Sequence, residues 1–257
     1  MGFYAAIIAY DGSAFSGFAK QKETHIKSVL GALQESFARV GIFSPIIGAG
    51  RTDKGVHATR QVIRFTCDHL QNTSESLQAF AKLLNTKLYP HICIRTLYPV
   101  DKDFHPRFDA KARAYRYLIS PTLPSPFESA YLSYERIGDE QLFQAMLHLF
   151  VGTHNFTMFK KNGSFTKDDV RSIYKVRFYH YQNLRVVYIE GSGFLRAQVR
   201  LMIGAALAVS RGELSREDFI AQLQAHKQSY TYPISPYGLY LCKVVYQNLP
   251  IISPFTH

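Results

Sequence analysis

Apolar and polar positions follow two rhythms along this chain, and they predict an order of elements. Residues 3–10 are almost continuously apolar and β-leaning, the pattern of a strand covered on both faces. Asp11-Gly12-Ser13 breaks the run, and Phe15-Ser16-Gly17-Phe18 follows as an aromatic loop. Ile26, Val29, Leu30, Leu33, Phe37 and Val40 then share one helix face, and Gly41 stops them. Strand-like runs at 44–47 and 59–66 flank a loop. Ser74 is placed to cap a helix running to about Lys87, with Leu77, Phe80, Ala81 and Leu84 on its buried side. Pro90 ends that segment, and 91–100 reads as another strand. The order β-α-β-loop-β-α-β describes an α+β unit: one sheet with helices on one face.

Residues 101–106 are polar and turn-rich, which divides the chain into halves 1–104 and 105–257. Residues 108–119 form the next strand-like run, with Lys111, Arg113 and Arg116 interleaved among Phe108, Tyr115 and Tyr117. Cations hold phosphates and rings stack on bases, so the mixture suits RNA; an ordinary strand with one wet face is the alternative. A helix is expected over 139–151, with Leu142, Phe143, Met146, Leu149 and Phe150 on one face. A basic loop over 159–169 carries Lys160, Lys161 and Lys167 with Gly163 and Ser164. Runs 170–181 and 184–190 make a hairpin turning at Gln182-Asn183. Helices over 194–210 and 212–225, a rigid loop at Pro233 and Pro236, and a closing strand over 238–246 complete the chain. The fold class is therefore α+β, two halves built on mostly antiparallel sheets, with no sequence repeat relating them.

Charge changes the picture most. Lys and Arg total 30 against 19 Asp and Glu, a formal net charge of +11. Such an excess points to a polyanion, with nucleic acid ahead of an anionic membrane surface. Hydrophobic residues at 47% and charged residues at 19% are globular values. Cys67, Cys93 and Cys242 lie far apart and form no C-x-x-C pair, so neither a zinc site nor a disulfide framework is indicated. The start, Met1-Gly2-Phe3-Tyr4, lacks a basic segment followed by a long apolar run, so no signal peptide is expected. The apolar stretch around 203–209 is bounded by Arg196, Arg200 and Arg211 and is too short to span a bilayer. A cytoplasmic protein is the expectation.

Two features carry candidate chemistry. The loop Gly48-Ala49-Gly50-Arg51-Thr52-Asp53-Lys54-Gly55-Val56-His57-Ala58 packs two cations, a carboxylate, a hydroxyl and an imidazole between glycines. It is longer than a plain hairpin turn. Asp53 is either a reactive group or a turn-tightening residue. Arg200 stands among Val199, Leu201, Met202, Ile203, Ala205 and Leu207, so the helix is apolar nearly all round. A buried guanidinium demands an anion, either a protein carboxylate or an RNA phosphate, unless it snorkels to the surface. No acid pair is spaced for Mg²⁺, and no phosphate-loop, zinc-protease or nucleophile-elbow pattern occurs. A lone carboxylate kept ionised by a cation can act without a cofactor.

These segments together resemble the TruA family of tRNA pseudouridine synthases. The run Gly50 to Ala58 is similar to the family's catalytic loop G-R-T-D-x-G-V-H-A. Tyr10-Asp11-Gly12-Ser13-x-Phe15-x-Gly17-Phe18 resembles its amino-terminal signature, and Phe108-x-Ala110-x-x-Arg113-x-Tyr115-x-Tyr117 its aromatic strand. Gly193-Phe194-Leu195 with Val199-Arg200 and Gly204 resembles its late helix, Gly238-Leu239-Tyr240-Leu241 its last strand, and Arg171-x-Ile173 a strand start. The matches run in order from about Tyr4 to Tyr246.

The resemblance implies a pseudouridine synthase core around a basic cleft. It implies a cofactor-free and metal-free isomerase, a homodimer, acting on tRNA anticodon stem-loops at positions 38–40. Carried over, Asp53 is the nucleophile, attacking ribose or base or assisting glycal formation; Tyr115 stacks on the target base, and Arg200 pairs with Asp53. Arg51 fills the space of the flipped base, and Thr52, His57, Arg113 and Phe108 complete the substrate-binding set. The sequence departs from the family at Phe18, at Ala19-Lys20-Gln21, at Lys27, at Pro106 and at Ser235-Pro236. These departures bear on tRNA affinity and site choice rather than on the reaction. A non-catalytic RNA-binding or RNA-chaperone protein on the same scaffold is the alternative reading.

Overall fold

The computed structural model describes residues 2–20, 27–161 and 168–247. Its elements in chain order are β1 (Gly2–Tyr10), α1 (Val29–Ala38), β2 (Ile47–Gly48), β3 (His57–Cys67), α2 (Ser74–Leu88) and β4 (Ile92–Pro99). They continue as β5 (Ala112–Ser120), β6 (Ser133–Tyr134), α3 (Glu140–His148), β7 (Gly152–Asn155), β8 (Val170–Tyr181) and β9 (Leu184–Gly191). The last are α4 (Gln198–Ser210), α5 (Arg216–Leu223) and β10 (Leu239–Val245). Single 3-10 turns sit at Gly12–Ala14 and Thr157–Phe159. The chain forms two compact units: one runs through Ala112 and takes up the chain again from Leu241, and the other is Arg113–Tyr240.

In the first unit the strand order is β4-β1-β3-β10, with β2 added to β3. β1 pairs antiparallel with both β3 and β4, so it is an interior strand of the sheet. Tyr4, Leu33, Phe37, Phe65 and Leu84 are buried, and Phe37 meets Phe65 edge-on with ring centroids 4.9 Å apart. Each helix is capped by a hydroxyl that accepts from an early backbone N–H, Ser28 for α1 and Thr73 for α2. The cap of α2 is thus Thr73, and Ser74 is its first helical residue. The expected strand over 44–47 shrinks to Ile47–Gly48. Ser44 replaces its backbone pairing with a side chain: Oγ accepts from Thr66 N (3.0 Å) and donates to Thr66 O (2.9 Å).

In the second unit the order is β5-β9-β8-β7, all antiparallel, and β6 adds to β5 in parallel. The expected hairpin is β8–β9, turning at Gln182, whose φ of 51° is left-handed. Phe150, Phe156, Phe159 and Phe219 form an aromatic core joining the end of α3 to α5. Helix α4 is buried at every residue except Arg200. It starts at Gln198, four residues later than the apolar pattern suggests, because Ala197 takes a left-handed φ of 59°. The Gln198 side chain turns back to accept from Leu195 N at 2.8 Å. Of the expected basic loop, Lys167, Gly163 and Ser164 lie outside the described residues, as does Ile26 of the first helix pattern.

Candidate active site

In the first unit, the residues around Asp53 are held by the amino-terminal segment that follows β1. Ala49 N donates to Val62 O (2.8 Å) and the Gln61 amide donates to Gly50 O (2.8 Å), tying the loop to β3. Thr52 is buried and clamped twice: its hydroxyl meets Tyr10 Oη at 2.8 Å, and its carbonyl accepts from Phe18 N at 3.1 Å. A turn closes from Val56 N to Asp53 O (3.1 Å), and Gly55 supplies the positive φ (78°) that this turn requires. Asp53 itself is half-buried at the bend, with Arg51 and Lys54 exposed on either side. The carboxylate is thus presented by a short turn whose two flanks are fixed.

His57 belongs to β3 rather than to the loop, and it is buried. Its Nδ1 accepts from Gly12 N at 3.0 Å, and Asp11 Oδ1 lies 3.4 Å from the same nitrogen. An Nδ1 that accepts from a backbone N–H leaves the proton on Nε2. Asp11 in turn accepts from the Ser13 amide and hydroxyl, capping its own 3-10 turn. Gly12 is where two backbones touch: a Cβ there would lie 2.0 Å from Val56 O.

In the second unit, Tyr115 is buried on β5 opposite Ile189 and meets Phe194 edge-on at 5.3 Å. Arg113, two residues earlier on the same strand, donates to Ser192 O at 3.3 Å. Arg200 is half-buried, and its guanidinium donates to Ile234 O (2.6 Å) and Pro233 O (3.5 Å). Two backbone carbonyls thus help to fix where the guanidinium sits.

The loop bearing those carbonyls is itself fastened. Gln222 of α5 is fully buried; its amide nitrogen donates to Tyr230 O and Met158 O (both 2.9 Å). Its oxygen accepts from Tyr230 N (2.7 Å) and Ser229 N (3.0 Å). Tyr230 then lies so close to α4 that a Cβ on Gly204 would come 2.4 Å from its hydroxyl. Tyr117 Oη lies 2.9 Å from Ser235 O and 2.6 Å from Ser133 Oγ; burial pushes this hydroxyl far above the usual tyrosine range, so it stays protonated. Replacing Gln222 with Leu strands up to four backbone groups. We expect Gln222→Leu to lower the unfolding free energy in urea by roughly 3 kcal/mol, while Gln224→Leu on the exposed side changes little.

The expected residues divide between the units. Arg51, Thr52, Asp53 and His57 gather in the first, and Arg113, Tyr115 and Arg200 belong to the second. Phe108 precedes β5 rather than forming part of it, and is 76% exposed. Gln222 and Tyr230 escaped notice in the sequence. The available signal was Gln222 falling between Phe219 and Leu223 on the apolar side of α5, where a polar residue must have partners. Among the described residues, no group of three or more His, Cys, Asp or Glu is placed to hold a metal ion. Among the same residues, no helix is long and apolar enough to cross a membrane.

Comparison with known proteins defines the class. A family model described as tRNA pseudouridine synthase matches residues 6–109 and 146–247, most of the chain. Three proteins named tRNA pseudouridine synthase A are similar over nearly its whole length. That of Helicobacter hepaticus is 61% identical over 245 residues, covering 95% of this chain and 99% of that protein. That of Wolinella succinogenes is 44% identical over 243 residues (95% and 94%), and that of Helicobacter pylori 37% identical over 247 (95% and 99%). The chain belongs to the TruA family of tRNA pseudouridine synthases. It is accordingly an isomerase. Among solved structures, the crystal structure of a Cbf5-Nop10-Gar1 complex aligns with 79% of this chain and 45% of that one. Its TM-score of 0.36 and identity of 11% are too low to argue from.

Proposed function

We propose that this enzyme converts uridine to pseudouridine in the tRNA anticodon stem-loop at positions 38–40, with Asp53 as nucleophile on a flipped-out nucleotide. The net change breaks the N1–C1′ bond, forms a C5–C1′ bond, removes the proton from C5 and adds one at N1. Nothing is oxidised or reduced, so the balance calls for no redox partner. Asp53 opens the reaction at the ribose or the base and frees uracil to rotate. Tyr115 stacks on the target base, and Arg200 supplies the positive charge that favours the ionised carboxylate. Arg51 takes the place of the extruded base, whose unstacking costs a few kcal/mol. Thr52, His57, Arg113 and Phe108 serve substrate binding, and the working form is a cytoplasmic homodimer.

The observation that carries this reading is the Asp53 turn. A half-buried carboxylate on a glycine-assisted bend, clamped by Tyr10, Gly12 and Phe18, is more elaborate than loop closure requires. The test is incubation with unmodified tRNA followed by mapping of pseudouridine along the whole molecule. Product confined to positions 38–40 is expected. Product elsewhere alone would refute the site assignment. Tight binding of every tRNA tried, with no product, would favour the RNA-binding or chaperone alternative.

A further inference from the structure

We infer that Phe108 is a second base-stacking station, a rigid ring that takes an unpaired base of the RNA other than the reacting one. The inference rests on the reading of this enzyme as tRNA-binding, and it concerns the turn between β4 and β5. Both sides of that turn are rooted in the first unit. Phe104 packs edge-on against Tyr246 at 5.2 Å, and the buried Tyr246 hydroxyl donates to Pro106 O at 2.7 Å. Phe104 and Ala110 pack on the cluster of Ala5, Ala49, Val62 and Tyr246. Ala49 is also the residue that begins the Asp53 loop.

Between those roots every backbone N–H is used. His105 Nδ1 accepts from Arg107 N (3.2 Å) and Phe108 N (3.3 Å). Asp109 Oδ2 accepts from His105 N (2.8 Å), and Asp109 N donates to His105 O (3.0 Å). Pro106 has no N–H and fixes its own φ. The His105 ring lies against Phe108 with centroids 4.3 Å apart, and the Arg107 guanidinium sits 5.8 Å from the same ring. Yet the phenyl is 76% exposed.

Scattered exposed apolar side chains are ordinary. This one differs because a fully bonded turn, an imidazole and a guanidinium hold it in one orientation, so little entropy remains to be lost on stacking. An aromatic face with a cation at its side is the chemistry that recognises a nucleobase and its neighbouring phosphate. Within 101–111 the three acids and three cations balance, so stacking rather than net charge carries the contact.

The test measures binding of unmodified tRNA to Asp53→Asn protein, so that affinity is read whether or not the catalytic assignment is right. Adding Phe108→Ala should weaken binding roughly tenfold or more, the loss of one stacked base. Phe108→Leu, apolar but without a π face, should lose as much, and Phe108→Tyr should restore it. The slope of log affinity against log salt should stay unchanged, since no phosphate contact is removed. In the active enzyme the same change should raise KM while leaving kcat within a few-fold. Equal affinities for Ala, Leu and Phe at every salt concentration would overturn the inference. So would unchanged RNA affinity with a smaller sedimentation coefficient, which would make the ring a contact between protein copies.

Discussion

Replacing Asp53 with Asn should reduce pseudouridine formation by at least roughly 10³-fold while leaving tRNA affinity and stability nearly intact. A factor of 10³ corresponds to about 4 kcal/mol of transition-state stabilisation. Asparagine matches the volume of aspartate and keeps the backbone carbonyl that closes the turn to Val56 N. The flanks of the loop are held by Thr52, Gly50 and Ala49, none of which the change touches. Loss of activity would therefore report the missing carboxylate rather than a collapsed loop. Asp53→Ala should behave alike and controls for activity regained by deamidation of Asn. Melting temperature and tRNA affinity checked on the same preparations complete the measurement. Full activity from Asp53→Ala would remove Asp53 from the chemistry.

The same loop shows where sequence reading succeeds and where it stops. Its position and charge were legible because it interrupts two strand patterns with glycines and a carboxylate. The β8–β9 hairpin was legible for a related reason: two long alternating runs meet at Gln182-Asn183, and both the strands and the turn obey local rules. What stayed hidden was non-local or too short to have a period. β7, Gly152–Asn155, has no apolar rhythm, and β6 has two residues. The apolar pattern before α4 runs on through Phe194 and Leu195, so nothing marked the left-handed Ala197 that delays the helix. For Arg200 the need for an acceptor was plain, and among its acceptors are two backbone carbonyls 33 and 34 residues away. A carbonyl has no residue type, so no composition argument could have found those partners. Assigning Asp53, Tyr115 and Arg200 to one reaction came from the resemblance to a family, not from periodicity.

The amino-terminal signature makes the second large prediction, because Gly12 is required there by contact rather than by conformation. Gly12 follows Asp11, which caps the 3-10 turn, and its N–H donates to His57 Nδ1. A methyl group at Gly12 would stand 2.0 Å from Val56 O, 2.4 Å from Val56 C and 2.9 Å from His57 N. All three are backbone atoms, so no side-chain rotation relieves the clash. Either the 3-10 turn lifts away and abandons His57, or the Val56–His57 strand entry moves and carries the Asp53 turn with it. Overpacking of this kind costs about 3 kcal/mol. In a chain of this length that lowers the melting temperature by on the order of 10 °C. Gly12→Ala should also lose roughly 10²-fold in activity at temperatures where it remains folded, since displacement by about 1 Å is enough to do so. Ser13→Ala, exposed on the same turn, loses only a local hydroxyl contact to Asp11 and should retain both stability and activity. Thermal unfolding and turnover compared across the two variants separate the outcomes. A Gly12→Ala enzyme as stable and active as the parent would mean that the signature does not brace the catalytic loop.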